Sequence, residues 1–431
     1  MILEFSVENF KSFKELQTLS LTAQPLRHKY QHLKENTFVL QEEVELLKTK
    51  VVFGANASGK SNLIKALAAF VQIVINSVKD NGILQTLVEP FMLSKDSLNK
   101  PSFFQLTFIV DGIRYRYGFE ASNTKIEHEW LFGKPGKKEV PYFTRSGNEI
   151  TPNDKQFPEG KKFKSLLQEG NEIVRPNALF LTAAALLNAK ISKSIVSAIS
   201  SILIISGIDD HLMKGIAYKA LEDDHNKQKV ISFLKESGID IEDINMERVV
   251  EVNIEGELPE ELKAFFKVEN NLKILTSTRT QYDDDQKAVG KIGWSFERHE
   301  SDGTQKMVQL SPFILASLEQ GRVLILDEFE ARLHTSLSKR IVQLYNSNKS
   351  NTKNAQFIFS THDTNLLSAK MMRRDQISFT QKDQYGASKL FSLAEIKGVR
   401  NDENYEKNYL LGKYRATPNI GDLTAVLDPN S

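Results

Sequence analysis

The sequence predicts an α/β fold: a mostly parallel, mixed sheet with flanking helices, an antiparallel lobe near the N-terminus and an inserted helical domain. Three observations carry this. An apolar strand, Val51-Val52-Phe53, enters the loop Gly54-Ala55-Asn56-Ala57-Ser58-Gly59-Lys60-Ser61 and leaves it as a helical pattern, Leu63 to Phe70. A second apolar strand, Arg322-Val323-Leu324-Ile325-Leu326, is closed by the carboxylates Asp327 and Glu328. A third, Gln356-Phe357-Ile358-Phe359, runs into Ser360-Thr361-His362-Asp363. Short apolar runs separated by helical patterns are the mark of strands buried on both faces.

Taken in chain order, Met1 to Glu8 alternates as a strand and lacks the basic start and long apolar core of a signal peptide. The loop that follows β-type residues 51–53 fits G-x-x-x-x-G-K-[ST] at every fixed position. A turn that merely joins strand to helix has no need of that pattern. In this context Gly54, Asn56, Ser58 and Gly59 let backbone N–H groups wrap phosphates, Lys60 reaches the β and γ oxygens, and the Ser61 hydroxyl joins a Mg²⁺ shell. A nucleoside triphosphate is the implied ligand.

Phe103 to Val110 and Ile113 to Phe119, joined by Asp111-Gly112, read as a hairpin. From about 160 to 290 the pattern turns helical and polar, with helices expected in Lys164 to Leu167, Ala183 to Ile205 and Lys227 to Leu234. No heptad runs through it, so it reads as a compact lid and not as a long coiled coil. Ile195 to Ile205 reads as one buried helix, well short of the ~20 apolar residues of a membrane span. Asp283-Asp284-Asp285 marks an exposed loop.

Beyond the insert, Glu300-Ser301-Asp302-Gly303-Thr304-Gln305 is a polar turn opening the helical stretch Met307 to Leu318, where a hydroxyl and free N–H groups suit an anion. Asp327, at a strand end, can hold Mg²⁺ through its water shell, and Glu328 can act as general base on an attacking water. His362 ends the next strand, where it could meet a γ-phosphate.

This order of motifs resembles the ABC-type ATPase heads of the SMC, RecF and OLD group, and most closely the AAA-type, RloA-like ATPases of bacterial defence loci. The resemblance rests on Asn9-Phe10-Lys11-Ser12-Phe13, the phosphate loop, Ser301 to Thr304, the block Asp327-Glu328-Phe329-Glu330-Ala331-Arg332-Leu333-His334, Ser360 to Asp363, and Tyr409-Leu410-Leu411-Gly412-Lys413-Tyr414. It covers about residues 1 to 130 and 290 to 420, with a looser match at Asn177 to Leu181. It implies that Ser301 and Gly303 contact a γ-phosphate held by a second protomer, that His362 is the switch histidine, and that Lys11, Ser12 and Phe13 lie near the nucleotide. Where the family shows Leu-His-Pro after a small residue, this chain has Arg332-Leu333-His334-Thr335, which puts a bulky cation in the dimer-contact loop. The Q-loop glutamine is left between Gln85 and Gln105, the latter the weaker candidate because a strand interior suits a structural residue.

With the phosphate loop near the start and the other motifs near the end, one ATPase domain is expected to be split in two, its N-terminal half at 1–150 and C-terminal half at 291–431, around the helical insert at 160–290. ATP and Mg²⁺ are the expected cofactors, and a homodimer or higher homo-oligomer closed through the nucleotide interface is the expected assembly. With 56 Lys and Arg against 55 Asp and Glu, nothing global recruits nucleic acid, and the clusters Lys134-Lys137-Lys138 and Lys161-Lys162-Lys164 read first as solvated loops. DNA or RNA contact is left open without being indicated. The absence of cysteine excludes disulfides and thiolate metal sites, and a cytoplasmic location without membrane attachment is expected.

Two outputs compete for this engine. One is an antiphage, abortive-infection sensor that controls a separately encoded toxic effector, a Toprim-type or RNase-like nuclease. The other is a repair or chromosome-maintenance ATPase acting directly on nucleic acid. The Ser-Asp-Gly-Thr signature, the short insert and the balanced charge favour the first. A nuclease within this chain is disfavoured, because residues 364–431 are fewer than the ~100–150 of a typical domain.

Overall fold

The structure, a computed structural model, describes residues 1–26, 31–40, 44–161, 163, 174–206, 210–248 and 273–418. Lys162 and Lys164, the helical pattern at 164–167 and the tail from Gly421 lie outside the described residues. The chain divides into two compact units, one of residues 1–207, 317–330 and 339–431, the other of 208–316 and 331–338.

Five strands open the first unit: β1 (Ile2–Glu8), β2 (Gln17–Ser20), β3 (Thr37–Leu40), β4 (Val44–Leu47) and β5 (Thr49–Gly54). The helix Lys60–Asn76 follows, then β6 (Ser102–Val110), β7 (Ile113–Ala121), β8 (Ile126–Lys134), β9 (Val140–Ser146) and β10 (Glu149–Pro152). Helices Phe180–Leu186 and Lys190–Ser200 lead to β11 (Leu203–Ser206). The second unit holds helices Asp210–Ala220 and Asp224–Glu236 and strands β12 (Asp243–Arg248), β13 (Lys273–Tyr282) and β14 (Ala288–Ser295). Helix Asp302–Gln320 precedes β15 (Val323–Asp327); helix Thr335–Asn346, β16 (Gln356–Ser360), β17 (Ile377–Lys382), β18 (Ser388–Ser392) and helix Tyr405–Leu410 follow.

In the first unit the strands form a seven-stranded antiparallel sheet, β10-β9-β8-β7-β6-β1-β2, and a six-stranded sheet, β11-β15-β16-β5-β17-β18, parallel except at β18. The expected hairpin is β6–β7, with Asp111 and Gly112 both at positive φ in its tight turn. Helix Lys60–Asn76 buries an apolar face of Leu63, Leu67, Phe70 and Val74. Phe70 stacks on Phe119 at 5.6 Å and meets Phe5 edge-on at 5.9 Å, while Val52, Ile325 and Ile358 of the parallel sheet belong to the same core cluster. Burying such a phenylalanine contributes about 1.5–3 kcal/mol, which pins the helix, and with it the loop at its start.

The Asn177 to Leu181 match has a structural role. Glu129, fully buried on β8, accepts the N–H groups of Phe180 (2.7 Å) and Leu181 (3.0 Å) and the Tyr117 hydroxyl (2.9 Å), and forms an ion pair with Arg145 at 3.5 Å. Burial raises its pKa; Arg145 and the three donors oppose that shift.

Two segments differ from their expectation. Ile195 to Ile205 is not one helix: the helix stops at Ser200, and Leu203–Ser206 becomes β11, paired in parallel with β15. A continuous apolar run has no period that separates a buried strand from a buried helix, and here the turn at Ser201 divides them. The 160–290 stretch holds helices but also β12, β13 and part of β14, an antiparallel sheet. On β14 six of the eight residues are exposed, which removes the alternation by which a strand is read. Asp283 to Asp285 form the exposed turn between β13 and β14.

Candidate functional site

Parallel pairing decides where the site lies. Because β15, β16, β5 and β17 run the same way, their carboxyl ends, Asp327, Ser360, Gly54 and Lys382, fall on one edge of the sheet, where such sheets bind ligands. A cleft of about 660 Å³ opens at that edge. It is lined by Asn56, Ser58, Gly59, Lys60, Ser61, Glu328 and His362, seven of the residues singled out in the sequence, together with Lys382.

The loop is shaped for anions. Gly59 caps the helix at φ +114°, and a Cβ there would sit 2.4 Å from Ser388 Oγ, so only glycine fits. The helix carries no acidic residue in its first turn to compete for its N–H groups. Lys60 Nζ donates to Gly54 O (2.9 Å) and Ala55 O (3.1 Å), which holds the ammonium over the loop. Burial lowers its pKa, and Asp327, Glu328 and Glu330 pull it back up. Ser58 Oγ lies 2.6 Å from Thr380 Oγ1, and Ser388 Oγ donates to Ser58 O (2.7 Å), so β17 and β18 brace the loop from beneath.

The acidic side is built on β15 and β16. Ser360 Oγ donates to Asp327 Oδ1 and accepts the N–H of Glu328 at 2.9 Å. Glu328 sits at φ +48°, a conformation uncommon for a side-chain-bearing residue and held here by that hydrogen bond. The N–H of His362 donates to Glu330 Oε1 at 2.5 Å. Partial burial and the Lys60 charge lower the His362 pKa, with Glu330, Glu328 and Asp327 opposing, so the imidazole is neutral at pH 7.

Among the described residues no group of three or more His, Asp or Glu could hold a metal by itself. The donor set suits Mg²⁺ bound to a nucleotide: Ser61 would supply a hydroxyl and Asp327 a carboxylate of which only Oδ1 accepts a hydrogen bond among the described residues.

The N-terminal trio separates. Ser12 lies against the loop, its hydroxyl accepting Asn62 Nδ2 and Ser388 Oγ, each at 2.8 Å. Lys11 pairs with Glu89 at 2.6 Å, and Phe13 is fully buried in the core. Gln105 on β6 accepts Arg116 Nη1 and Trp130 Nε1, both at 3.1 Å; Gln85 is exposed in the short helix Ile83–Leu87.

Ser301 and Gly303 belong to the second unit. Ser301 Oγ accepts the Thr304 N–H at 3.2 Å and so caps helix Asp302–Gln320. A Cβ on Gly303 would lie 3.0 Å from Arg332 O, and Arg332 stands 3.8 Å from Asp302. Glu300, just ahead of the turn, is buried and accepts Ser277 Oγ (2.7 Å), Trp294 Nε1 (3.1 Å) and both Nε and Nη2 of Arg279 (3.1 and 2.6 Å). The β13–β14 sheet therefore anchors the signature turn. Neither Glu300 nor Ser360, Glu330 and Lys382 was assigned a role from sequence.

A family model described as AAA domain, putative AbiEii toxin, Type IV TA system matches residues 51–191 and 220–368, more than half of the chain. Among solved structures the chain is similar to an SMC head domain from Thermotoga maritima, with 13% identity over 91% of this chain and 98% of that one and a TM-score of 0.40. It is also similar to an SMC head bound to the C-winged helix domain of ScpA (16% identity, 91% and 97% covered, TM-score 0.42). A third is an Smc head domain with an extended coiled coil bound to the C-terminal domain of ScpA derived from Pyrococcus furiosus (14% identity, 96% and 99% covered, TM-score 0.39). No curated protein matches the chain.

Proposed function

The chain belongs to the AAA-domain family of P-loop ATPases described as putative AbiEii toxin, Type IV TA system, and from that premise we propose that it is a Mg²⁺-dependent ATPase regulating an antiphage defence system. The observation that carries the catalytic part is the meeting of Lys60, Ser61, Glu328 and His362 in one cleft at the carboxyl edge of the sheet.

In this reading the loop N–H groups and Lys60 bind the β and γ phosphates of ATP, Ser61 and Asp327 hold Mg²⁺, and Glu328 takes the proton of the attacking water. Mg²⁺, when bound, offsets phosphate charge and orients the γ-phosphate. Ser360 holds Asp327 and Glu328 in register, and His362 offers a ring N–H toward the γ-phosphate. Ser301 and Gly303 serve a second subunit's nucleotide, so hydrolysis needs a homodimer or higher homo-oligomer.

The defence output draws on the family's description, which names a putative toxin of a Type IV TA system. Here the ATPase holds or releases a separately encoded effector, a Toprim-type or RNase-like nuclease, in response to infection. Among the described residues no helix is long and apolar enough to cross a membrane. The test is phage plating on cells carrying the whole locus. Protection should be lost with Lys60→Ala and equally with deletion of the neighbouring effector gene. Growth arrest by this chain alone would make it the toxin itself. Intact protection by the Lys60→Ala locus, with sensitivity to DNA damage and tight duplex binding at physiological salt, would favour the repair reading, since ordinary non-specific binding is only about 10⁻⁴ to 10⁻⁶ M.

A further inference from the structure

A second polar cavity, of about 260 Å³, lies in the first unit and shares no lining residue with the nucleotide cleft. Lys50, at the start of β5, lines it and is only 3% exposed. Its ammonium donates to Asp375 O at 2.6 Å, which leaves two of its three N–H donors without a partner among the described residues. The nearest carboxylate does not answer them. Both oxygens of Asp375 are held by Arg373, at 2.9 and 2.6 Å, and Oδ2 also accepts the Gln24 N–H at 2.9 Å. Ser378, likewise buried and lining the cavity, has a hydroxyl with no hydrogen-bond partner among the described residues.

A buried cation is costly unless an anion or a full set of acceptors meets it. Here the cation and a spare hydroxyl face the same space, and the acid beside them is already neutralised by arginine. We propose that this cavity is a second ligand site, in which Lys50 and Ser378 hold the oxyanion of a small carboxylate or phosphate compound. Size limits the ligand: the volume equals roughly nine water molecules at about 30 Å³ each, below the ~300–1,000 Å³ of sites for drug-sized molecules. The exposed Glu395 at the rim disfavours polyanions, so the preferred ligand carries one oxyanion.

Burial lowers the Lys50 pKa to about 8, with Asp375 and Glu395 opposing the shift. The ammonium is therefore charged at neutral pH and loses its proton just above it. Oxyanion binding should weaken as pH rises through about 8.

The experiment titrates the full-length Lys60→Ala chain, whose phosphate loop is disabled, with inorganic phosphate and separately with acetate, by calorimetry and thermal shift. Saturable binding of one probe per chain is expected, reduced about tenfold or more by adding Lys50→Met and several-fold by adding Ser378→Ala. A preference for phosphate assigns the ligand to the phosphate compounds, and a preference for acetate to the carboxylates. The milder Ser378→Ala variant decides the matter if Lys50→Met fails to fold. No saturable binding of either probe, binding indifferent to both substitutions, or affinity that rises with pH would overturn the proposal.

Discussion

The backbone N–H of Glu328 donates to the Ser360 hydroxyl at 2.9 Å, and the same hydroxyl donates to Asp327 Oδ1. One side chain on β16 thus holds both acidic residues that close β15, and does so from within the sheet, where Ser360 is fully buried. Asp327 gains a fixed orientation, and the left-handed backbone at Glu328 gains the hydrogen bond that stabilises it.

Ser360→Ala should therefore lower ATP turnover by about 10–100-fold, the usual cost of losing a group that orients a metal ligand or base. ATP affinity should stay within a few-fold of the parent, because the phosphate loop is untouched. Steady-state phosphate release and calorimetry separate the two effects. Equal turnover in parent and variant would mean that Asp327 and Glu328 are held by something else.

Lys60→Ala removes the ammonium held over the loop by Gly54 O and Ala55 O. A charge-assisted contact is worth about 1.5–3 kcal/mol, so ATP affinity should fall roughly tenfold or more. Glu328→Gln keeps the shape and removes the proposed base. Turnover should fall by about 10²–10⁴ while an ATP-bound assembly accumulates, visible by size-exclusion chromatography with radiolabelled ATP. Parent turnover in Glu328→Gln would transfer the base role to another residue.

What the sequence disclosed and what it hid have a common cause. Gly54 to Ser61, Asp327-Glu328 and His362 are each read within a few residues, since the strand that aims them adjoins them in the chain. Lys382, Thr380 and Ser388 reach the same loop only through the pairing of β5 with β17 and of β17 with β18, and the Ser58–Thr380 contact spans 322 positions. No local pattern announces such a contact. Lys50 was hidden for the same reason: it sits inside an apolar strand, and only the fold brings Asp375 and Ser378 to it. The β12–β14 sheet is not legible in the sequence because β14 is exposed on nearly every residue, which erases the alternation that half-burial imposes.

Glu300 yields a prediction about acid stability. Burial alone would raise its pKa, but the hydrogen bonds from Arg279, Ser277 and Trp294 outweigh it and hold the carboxylate below its ordinary 4.5. A lowered folded-state pKa means that the unfolded chain binds the proton more readily, so the stabilisation is present above 4.5 and is lost as pH falls through the folded value. Glu300→Gln should destabilise the second unit by about 1–3 kcal/mol at pH 7. The gap between parent and variant in thermal unfolding should close below pH 4.5. A gap that persists undiminished in acid would show that packing of the side chain, and not its charge, matters there.

The last prediction concerns the assembly. Ser301 and Gly303 sit in a different compact unit from Lys60, and the family resemblance implies that they face a nucleotide held by a second copy of the chain. Ser301→Arg places a long cation in the capping turn, where the proposed assembly would put the partner's γ-phosphate, and it removes the hydroxyl that accepts the Thr304 N–H. Loss of such a cap costs about 0.5–2 kcal/mol, a modest sum beside the stability of a whole unit, so the variant should remain folded and bind ATP as an isolated subunit. Its turnover should nonetheless collapse. Mixed with Lys60→Ala chains, it should recover part of the activity, because in a mixed dimer one of the two composite sites combines the intact loop of one chain with the intact signature of the other. The signal is a maximum in phosphate release at intermediate mixing ratios, read beside native mass spectrometry that counts mixed dimers. If mixed dimers form and no ratio restores turnover, each subunit hydrolyses ATP by itself and the shared-site reading fails.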